Sequence, residues 1–310
     1  MIAFLQALLP VILIVAVGWG MAERRFIREN VWQALERLVY FLFFPALIIS
    51  VLAKASFDKV PVGMALGLVI AQAVLGIIGI IAVDPRGNQQ TGNPEKGSII
   101  QSNVRWNTFI GLSIAGAMFG ADGLALMALA VAILTSFANV ISVWALTHYA
   151  ENRAGQKPRV WLDMSRNPLI LACIAGIVLN ILGITPTGVV EYSLDLLGQA
   201  SIALGLLIVG SAINVQSFRR TGSTTLIWSA VRLLGLPAVA ITAALFLELS
   251  DLEWAIMIIA TATPTASSGY ILARQLGGDA QLSANLITVQ TIAAIITMPA
   301  IYTLYLTFIG

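Results

Sequence analysis

The chain is short of almost everything a soluble enzyme uses. Only 10% of its 310 residues are charged. A soluble domain carries about 25%, and so few charges cannot cover a water-facing surface of this size. One cysteine, Cys173, excludes an internal disulfide and a cysteine-based metal site. One histidine, His148, excludes histidine clusters. No Asp or Glu falls in the middle of an apolar segment; all sit near segment ends or in loops, where Asp58, Asp84, Asp122 and Asp279 read best as helix caps. General acid–base chemistry therefore has little to work with, which argues against an enzyme. The same lack weakens a dedicated proton relay, which usually needs a titratable carboxylate within the membrane. A net charge of +2 gives no reason to expect a nucleic-acid partner.

What is present is apolar. Hydrophobic residues make up 58% of the chain, and the mean hydropathy is +0.90. The expectation is an all-α polytopic membrane protein with the lipid bilayer as its solvent. Met1-Ile2-Ala3-Phe4-Leu5 has no basic region and no small-residue cleavage site, so it reads as a first span rather than a signal peptide. A helix needs about 20 apolar residues to cross. Ten segments qualify, at 3–21, 32–53, 60–83, 99–119, 122–148, 167–184, 193–214, 224–247, 252–276 and 281–308. Period-2 alternation is missing from all of them, so none is a strand candidate.

Two polar interruptions organise the rest. Gln101-Ser102-Asn103-Val104-Arg105-Trp106-Asn107-Thr108 interrupts span four, and Ala262-Thr263-Pro264-Thr265-Ala266-Ser267-Ser268-Gly269 interrupts span nine. Each precedes a short apolar helix and a similar step, Phe119-Gly120-Ala121-Asp122 and Leu276-Gly277-Gly278-Asp279. The two Asp residues lie 157 positions apart (279 − 122), about half the chain, and the same offset sets Asn107 against Pro264. Basic residues in short loops give the orientation. With the N-terminus outside, the inner side collects Arg24, Arg25, Arg28, Arg37, Arg86, Lys96, Arg153, Lys157, Arg159, Arg166, Arg219 and Arg220. The outer side holds Lys54 and Lys59, so the bias is twelve to two and both termini are expected outside. Five spans per half is an odd number, so the halves enter from opposite sides and form inverted repeats. The expected division is an N-terminal repeat over 1–150, a cytoplasmic linker over 151–165 and a C-terminal repeat over 166–310.

The interruptions have a chemistry. Polar groups in hydrocarbon need partners. Pro264 removes a backbone donor and opens the helical ladder, while Thr263, Thr265, Ser267 and Ser268 can cap the helix that restarts. Asn103 and Asn107 would share a face of a continuous helix. A half-helix N-terminus at mid-membrane is an anion site, through its free N–H groups and its dipole. The alternative, two ordinary kinks packed by polar side chains, does not account for the matching positions. Arg105 could compensate an anionic ligand or snorkel; Arg232 and Arg274 read as snorkelling bases. Pro45, mid-span in span two, and Ser211 and Asn214 in span seven could form a substrate wall or pack closely through small residues. The same two readings apply to Asn139 with Ser136 and to Gln290 with Thr291.

Several short stretches together resemble the auxin efflux carrier family of transporters. They are Leu9-Pro10-Val11-Ile12-Leu13, Glu23-Arg24-Arg25-Phe26-Ile27, Phe44-Pro45-Ala46-Leu47, the Asn-containing break in span four, Arg166-Asn167-Pro168, and Pro264-Thr265-Ala266. Their order and spacing over nearly the whole chain carry the resemblance. That family resembles the bile acid:sodium symporters in architecture. The resemblance implies two inverted five-helix repeats with helices 4 and 9 broken and crossing. It also implies a scaffold of helices 1, 2, 6 and 7, and a core of helices 3–5 and 8–10 that moves like an elevator. Plant members export indole-3-acetate, and bacterial members are linked to small organic anions such as malonate. This sequence departs in having Asn107 where plant carriers have a second proline, and in lacking their long hydrophilic loop.

The expectation is thus a secondary transporter of a small organic anion in the inner (plasma) membrane, with both termini periplasmic. The expected site comprises Asn103, Arg105, Asn107, Thr263, Pro264, Thr265, Ser267 and Ser268, then Pro45, Ser211, Asn214 and Gln290. No cofactor or metal is expected. Na⁺ and H⁺ both stay open as coupling ions, as do Na⁺-coupled uptake, a membrane sensor that binds without transporting, and a homodimer.

Overall fold

A computed structural model describes residues 2–55, 61–84, 93–150, 167–215 and 221–308. The 151–165 linker and Asp58, Lys59, Arg86, Arg153, Lys157, Arg159, Arg166, Arg219 and Arg220 lie outside the described residues, and with them most of the charges that set the expected orientation.

The described residues are helical, with no strand among them. In chain order the helices are α1 (Ile2–Glu23), α2 (Glu29–Leu38), α3 (Phe44–Lys54), α4 (Val62–Val83), α5 (Pro94–Val104) and α6 (Thr108–Tyr149). They continue as α7 (Pro168–Ile181), α8 (Gly188–Ser211), α9 (Ser223–Ala230), α10 (Leu236–Ala244), α11 (Asp251–Ala262), α12 (Gly269–Leu276) and α13 (Ala280–Phe308). α2 runs into α3, and α9 into α10, through π-helical turns at Val39–Phe43 and Val231–Gly235. The cause is the same in both. Pro45 and Pro237 sit at the start of the helix that follows and lack an N–H for the carbonyl one turn earlier. The ladder accommodates this by widening, so that the N–H of Phe44 reaches back to Val39.

Among the described residues, seven helical stretches are long and apolar enough to cross a membrane. This differs from the ten segments expected, for physical reasons. Residues 94–149 count as one stretch although they are interrupted twice. α7 has only 14 residues. The halves α11 and α12, of 12 and 8 residues, are each too short to cross alone. α6 would be about 63 Å long if straight, twice the hydrocarbon thickness. It is interrupted at Gly120, whose φ of 59° and ψ of −138° are not helical. Beyond it the chain folds back, so that Leu124 packs on Gly116. The corresponding step after α12 is Gly277, with φ 79°. Gly120 and Gly277 are again 157 positions apart (277 − 120).

Two groups of helices share one core. α1 packs on α8, and α3 packs on both α7 and α8. Gly18 and Gly210 let α1 and α8 approach until a Cβ at either would meet the other helix's backbone. Asn180 Nδ2 donates to the carbonyls of Leu52 and Ala55 at 3.1 and 2.7 Å and closes the C-terminal end of α3. Lys54 pairs with Glu191 and Asp195, and Ser50 donates to Asp195. The second group gathers α4, α5 and α6 with α10, α11 and α13. The polarity is reversed from that of a soluble protein. Large apolar side chains such as Leu13, Ile77, Ile181 and Phe246 face outward, while Gln72, Gln101, Asn103, Arg232, Thr261 and Gln290 are buried. Only a lipid environment favours that distribution.

Candidate functional site

The first break is shorter than the sequence implies. α5 continues through Gln101, Ser102 and Asn103 to Val104, and only Arg105, Trp106 and Asn107 leave the helix. Two of the polar side chains donate to carbonyls, one within α5 and one in α12, while the Gln101 and Asn103 amide oxygens have no partner among the described residues. Asn103 Nδ2 donates to the Ile99 carbonyl at 2.9 Å, and Gln101 Nε2 to that of Gly269 at 2.8 Å. Asn107 then starts α6 as its N-cap, its Oδ1 accepting from the Ile110 N–H at 3.2 Å.

The second break is longer, from Thr263 to Ser268. Thr263 Oγ1 folds back onto the Ala260 carbonyl at 2.8 Å. The expectation that Ser or Thr caps the restarting helix is corrected here. Ser268 is the N-cap of α12 but makes no side-chain cap bond; its hydroxyl accepts from Arg105 instead. The Thr265 N–H is taken by Gln290 Oε1 from α13 at 2.9 Å.

The two breaks meet. Arg105 Nη2 donates to Ser268 Oγ at 3.0 Å, and Nη1 donates to Asn139 Oδ1 at 3.1 Å. Both acceptors are neutral, Nε has no partner among the described residues, and no carboxylate there forms an ion pair with this guanidinium. A cavity of about 80 Å³ lies beside it. Arg105, Asn107, Asn139, Ser267 and Ser268 line it with Glu36, Tyr40, Phe44 and Trp106. The Phe44 and Phe109 rings, 5.2 Å apart, form an apolar wall. A wider vestibule of about 680 Å³ shares Glu36 and Ser267 with it and is also lined by Arg25, Arg28, Ser211, Asn214 and Tyr270.

Of the expected residues, Arg105, Asn107, Ser267 and Ser268 share the small cavity, and Ser211 and Asn214 line the vestibule. Asn103, Thr263, Pro264 and Thr265 are buried outside both, and Gln290 braces the second break from α13. Pro45 acts one turn away through the π-helical turn, and its neighbour Phe44 reaches the cavity. Two residues were misplaced by sequence. Acidic residues are expected near segment ends or in loops, but α2 begins at Glu29, which puts Glu36 two turns in and on the cavity wall. Arg232 does not snorkel: it is fully buried and bonded to backbone carbonyls at both breaks. Arg274 is exposed, as a snorkelling base would be.

A helical protein with an apolar exterior, enclosing a polar cavity where two interrupted helices meet, belongs with the membrane proteins. A family described as "Membrane transport protein" matches residues 3–302. The chain belongs to that family, the auxin efflux carriers. It is 22% identical over 296 residues to an uncharacterized transporter of Methanothermobacter thermautotrophicus, covering 95% of this chain and 96% of the relative. It is 24% identical over 295 residues to the uncharacterized transporter MJ1031 of Methanocaldococcus jannaschii, covering 93% and 94%. These are transport proteins rather than enzymes.

Proposed function

We propose that the protein is a secondary active transporter of a small organic anion, binding its substrate beside Arg105 between the two breaks. One observation carries this reading: a guanidinium within the membrane-spanning region, hydrogen-bonded only to neutral acceptors, faces a cavity at the start of two helices. Glu36 acts on this guanidinium electrostatically across the same cavity but forms no ion pair with it; a buried cation so placed is costly, and an anionic ligand offsets that cost. The N-terminal ends of α6 and α12 add positive potential on the same side. Phe44, Phe109 and Trp106 suit the carbon body of such an acid.

In this reading the chain forms ten spans as two inverted five-span repeats, with α5–α6 and α11–α12 supplying the broken, crossing helices. The shared 157-residue offset of Gly120 and Gly277, both at positive φ, supports it. α1, α2–α3, α7 and α8 form the scaffold against which the remaining helices move as an elevator; their mutual packing and the Asn180 and Lys54 ties favour one rigid unit. With both termini periplasmic, the vestibule opens to the cytoplasm.

The test is flux into proteoliposomes with a panel of labelled mono- and dicarboxylates, malonate and indole-3-acetate included. Saturable accumulation of at least one acid above protein-free vesicles is expected. Binding of an acid without any flux would instead identify a sensor.

A further inference from the structure

Arg232 is the most deeply buried cation among the described residues, at 0% exposed, in the π-helical turn that joins α9 to α10. Its Nε donates to the Arg105 carbonyl at 3.2 Å, and its Nη1 donates to the Thr261 carbonyl at 2.8 Å. The first carbonyl belongs to the C-cap of α5, and the second to the last turn of α11. A single guanidinium thus joins the C-terminal ends of both half-helices that precede the breaks. No carboxylate pairs with it among the described residues. Its counter-charge is the backbone itself. Each helix C-terminus carries about −0.5 of an elementary charge, so two that converge present about −1, which one monovalent cation balances. In inverted-repeat transporters, half-helix C-terminal ends and unwound carbonyls are where a coupling Na⁺ is held. Simple hydrogen bonding would not require a charge: the Val104 and Leu134 carbonyls are closed by the neutral amide of Gln72, at 2.7 and 3.1 Å.

We propose that Arg232 is a tethered cation standing between the two half-helix C-termini in the place of a mobile one, so that no Na⁺ is bound there and transport does not draw on Na⁺ at that place. The consequence for transport rests on the function proposed above; the cation assignment does not.

The test uses purified full-length protein in detergent and reads melting temperature in matched NaCl, KCl and choline chloride, with and without low guanidinium chloride. The wild type is expected to melt at the same temperature in all three salts. Arg232→Ala leaves the two carbonyls without a partner and is expected to melt lower by on the order of 5–10 °C. It should recover part of that loss in Na⁺ or guanidinium but not in choline. Arg232→Lys, which keeps the charge, should melt above Arg232→Gln, which keeps only hydrogen bonding. If the Ala variant yields no folded protein, the wild-type salt comparison and the Lys–Gln order decide. A saturable Na⁺-specific rise in the wild type overturns the proposal. So does a Gln variant at least as stable as the Lys variant, or an Ala deficit that no cation repairs. None of these arms measures flux, so an absence of transport leaves the Arg232 result standing, and a Na⁺-dependent wild type leaves the Arg105 anion site untouched.

Discussion

Replacing Arg105 by Gln removes one positive charge from the cavity wall and leaves a polar side chain behind. The guanidinium makes two hydrogen bonds, to Asn139 and Ser268, and a bond from a charged donor contributes about 1.5–3 kcal/mol. Against them stands the desolvation of a cation with no carboxylate partner, several kcal/mol in its own right. These effects nearly cancel, so the melting temperature should move by no more than about 3 °C. Anion binding is different. A carboxylate about 4 Å from the guanidinium gains roughly 4 kcal/mol at an effective dielectric constant near 20. The anion's own desolvation consumes part of that and leaves about 2–3 kcal/mol, a factor of roughly 30–150 in affinity. The assay pairs two measurements on one preparation: melting followed by tryptophan fluorescence, and initial flux against substrate concentration in proteoliposomes. The expected result is an unchanged melting temperature with a half-saturating concentration raised by that factor, and partial recovery in Arg105→Lys. Undiminished flux would refute the reasoning. So would a large fall in melting temperature with flux lost only in proportion to folded protein, because Arg105 would then be a packing residue.

Three further outcomes follow from the same geometry. Asn107→Ala removes the N-cap of α6 and should cost about 1 kcal/mol, a fall of a few degrees in melting temperature, while abolishing flux because Asn107 also lines the cavity. Gly120→Ala meets no neighbouring atom, so its cost is conformational alone; at a φ of 59° and ψ of −138° it should destabilise by about 1–3 kcal/mol in a thermal melt. Gln290→Leu strips the Thr265 N–H of its acceptor in a buried setting and should cost about 1–3 kcal/mol; flux per folded protein should fall as well, because the second break loses its brace.

Much of this was legible in the sequence, and the parts that were not share one property. Apolar runs gave the helices because the bilayer fixes their length and leaves the backbone no other way to satisfy itself. Pro264 marked the second break because a missing N–H is a local fact. The bounds of the first break were not local. Gln101 stays helical because its amide reaches Gly269, 168 residues away, and the helix yields only at Arg105. Glu36 is not legible as a wall residue because its distance from the start of its helix depends on where α2 begins, and the charged stretch Glu29–Arg37 blurs that boundary. Arg232 was assigned to the membrane surface by a rule that holds when a long side chain can reach water. Its partners are carbonyls 127 and 29 positions away, and no local pattern encodes them.

The two breaks do not contribute the same chemistry, and the difference begins with Asn107 and Pro264. Asparagine can cap its own helix, so the first break closes on itself over three residues, and only the guanidinium of Arg105 projects from it toward the second. Proline has no amide side chain to offer. The second break therefore stays open over six residues and borrows Gln290 from α13 to satisfy Thr265. A shift of α13 is then transmitted directly to the second break through one buried hydrogen bond, whereas α13 reaches the first only through the helix before it, where Gln101 Nε2 donates to Ser283 Oγ at 3.4 Å. Charge follows the same division. The Arg105 side chain carries the positive potential that faces the cavity, while the carbonyl of the same residue accepts from Arg232. One residue thus touches both the candidate anion site and the junction of the half-helix C-termini. Any rearrangement that parts α5 from α11 at Arg232 therefore acts on the residue whose guanidinium faces the cavity.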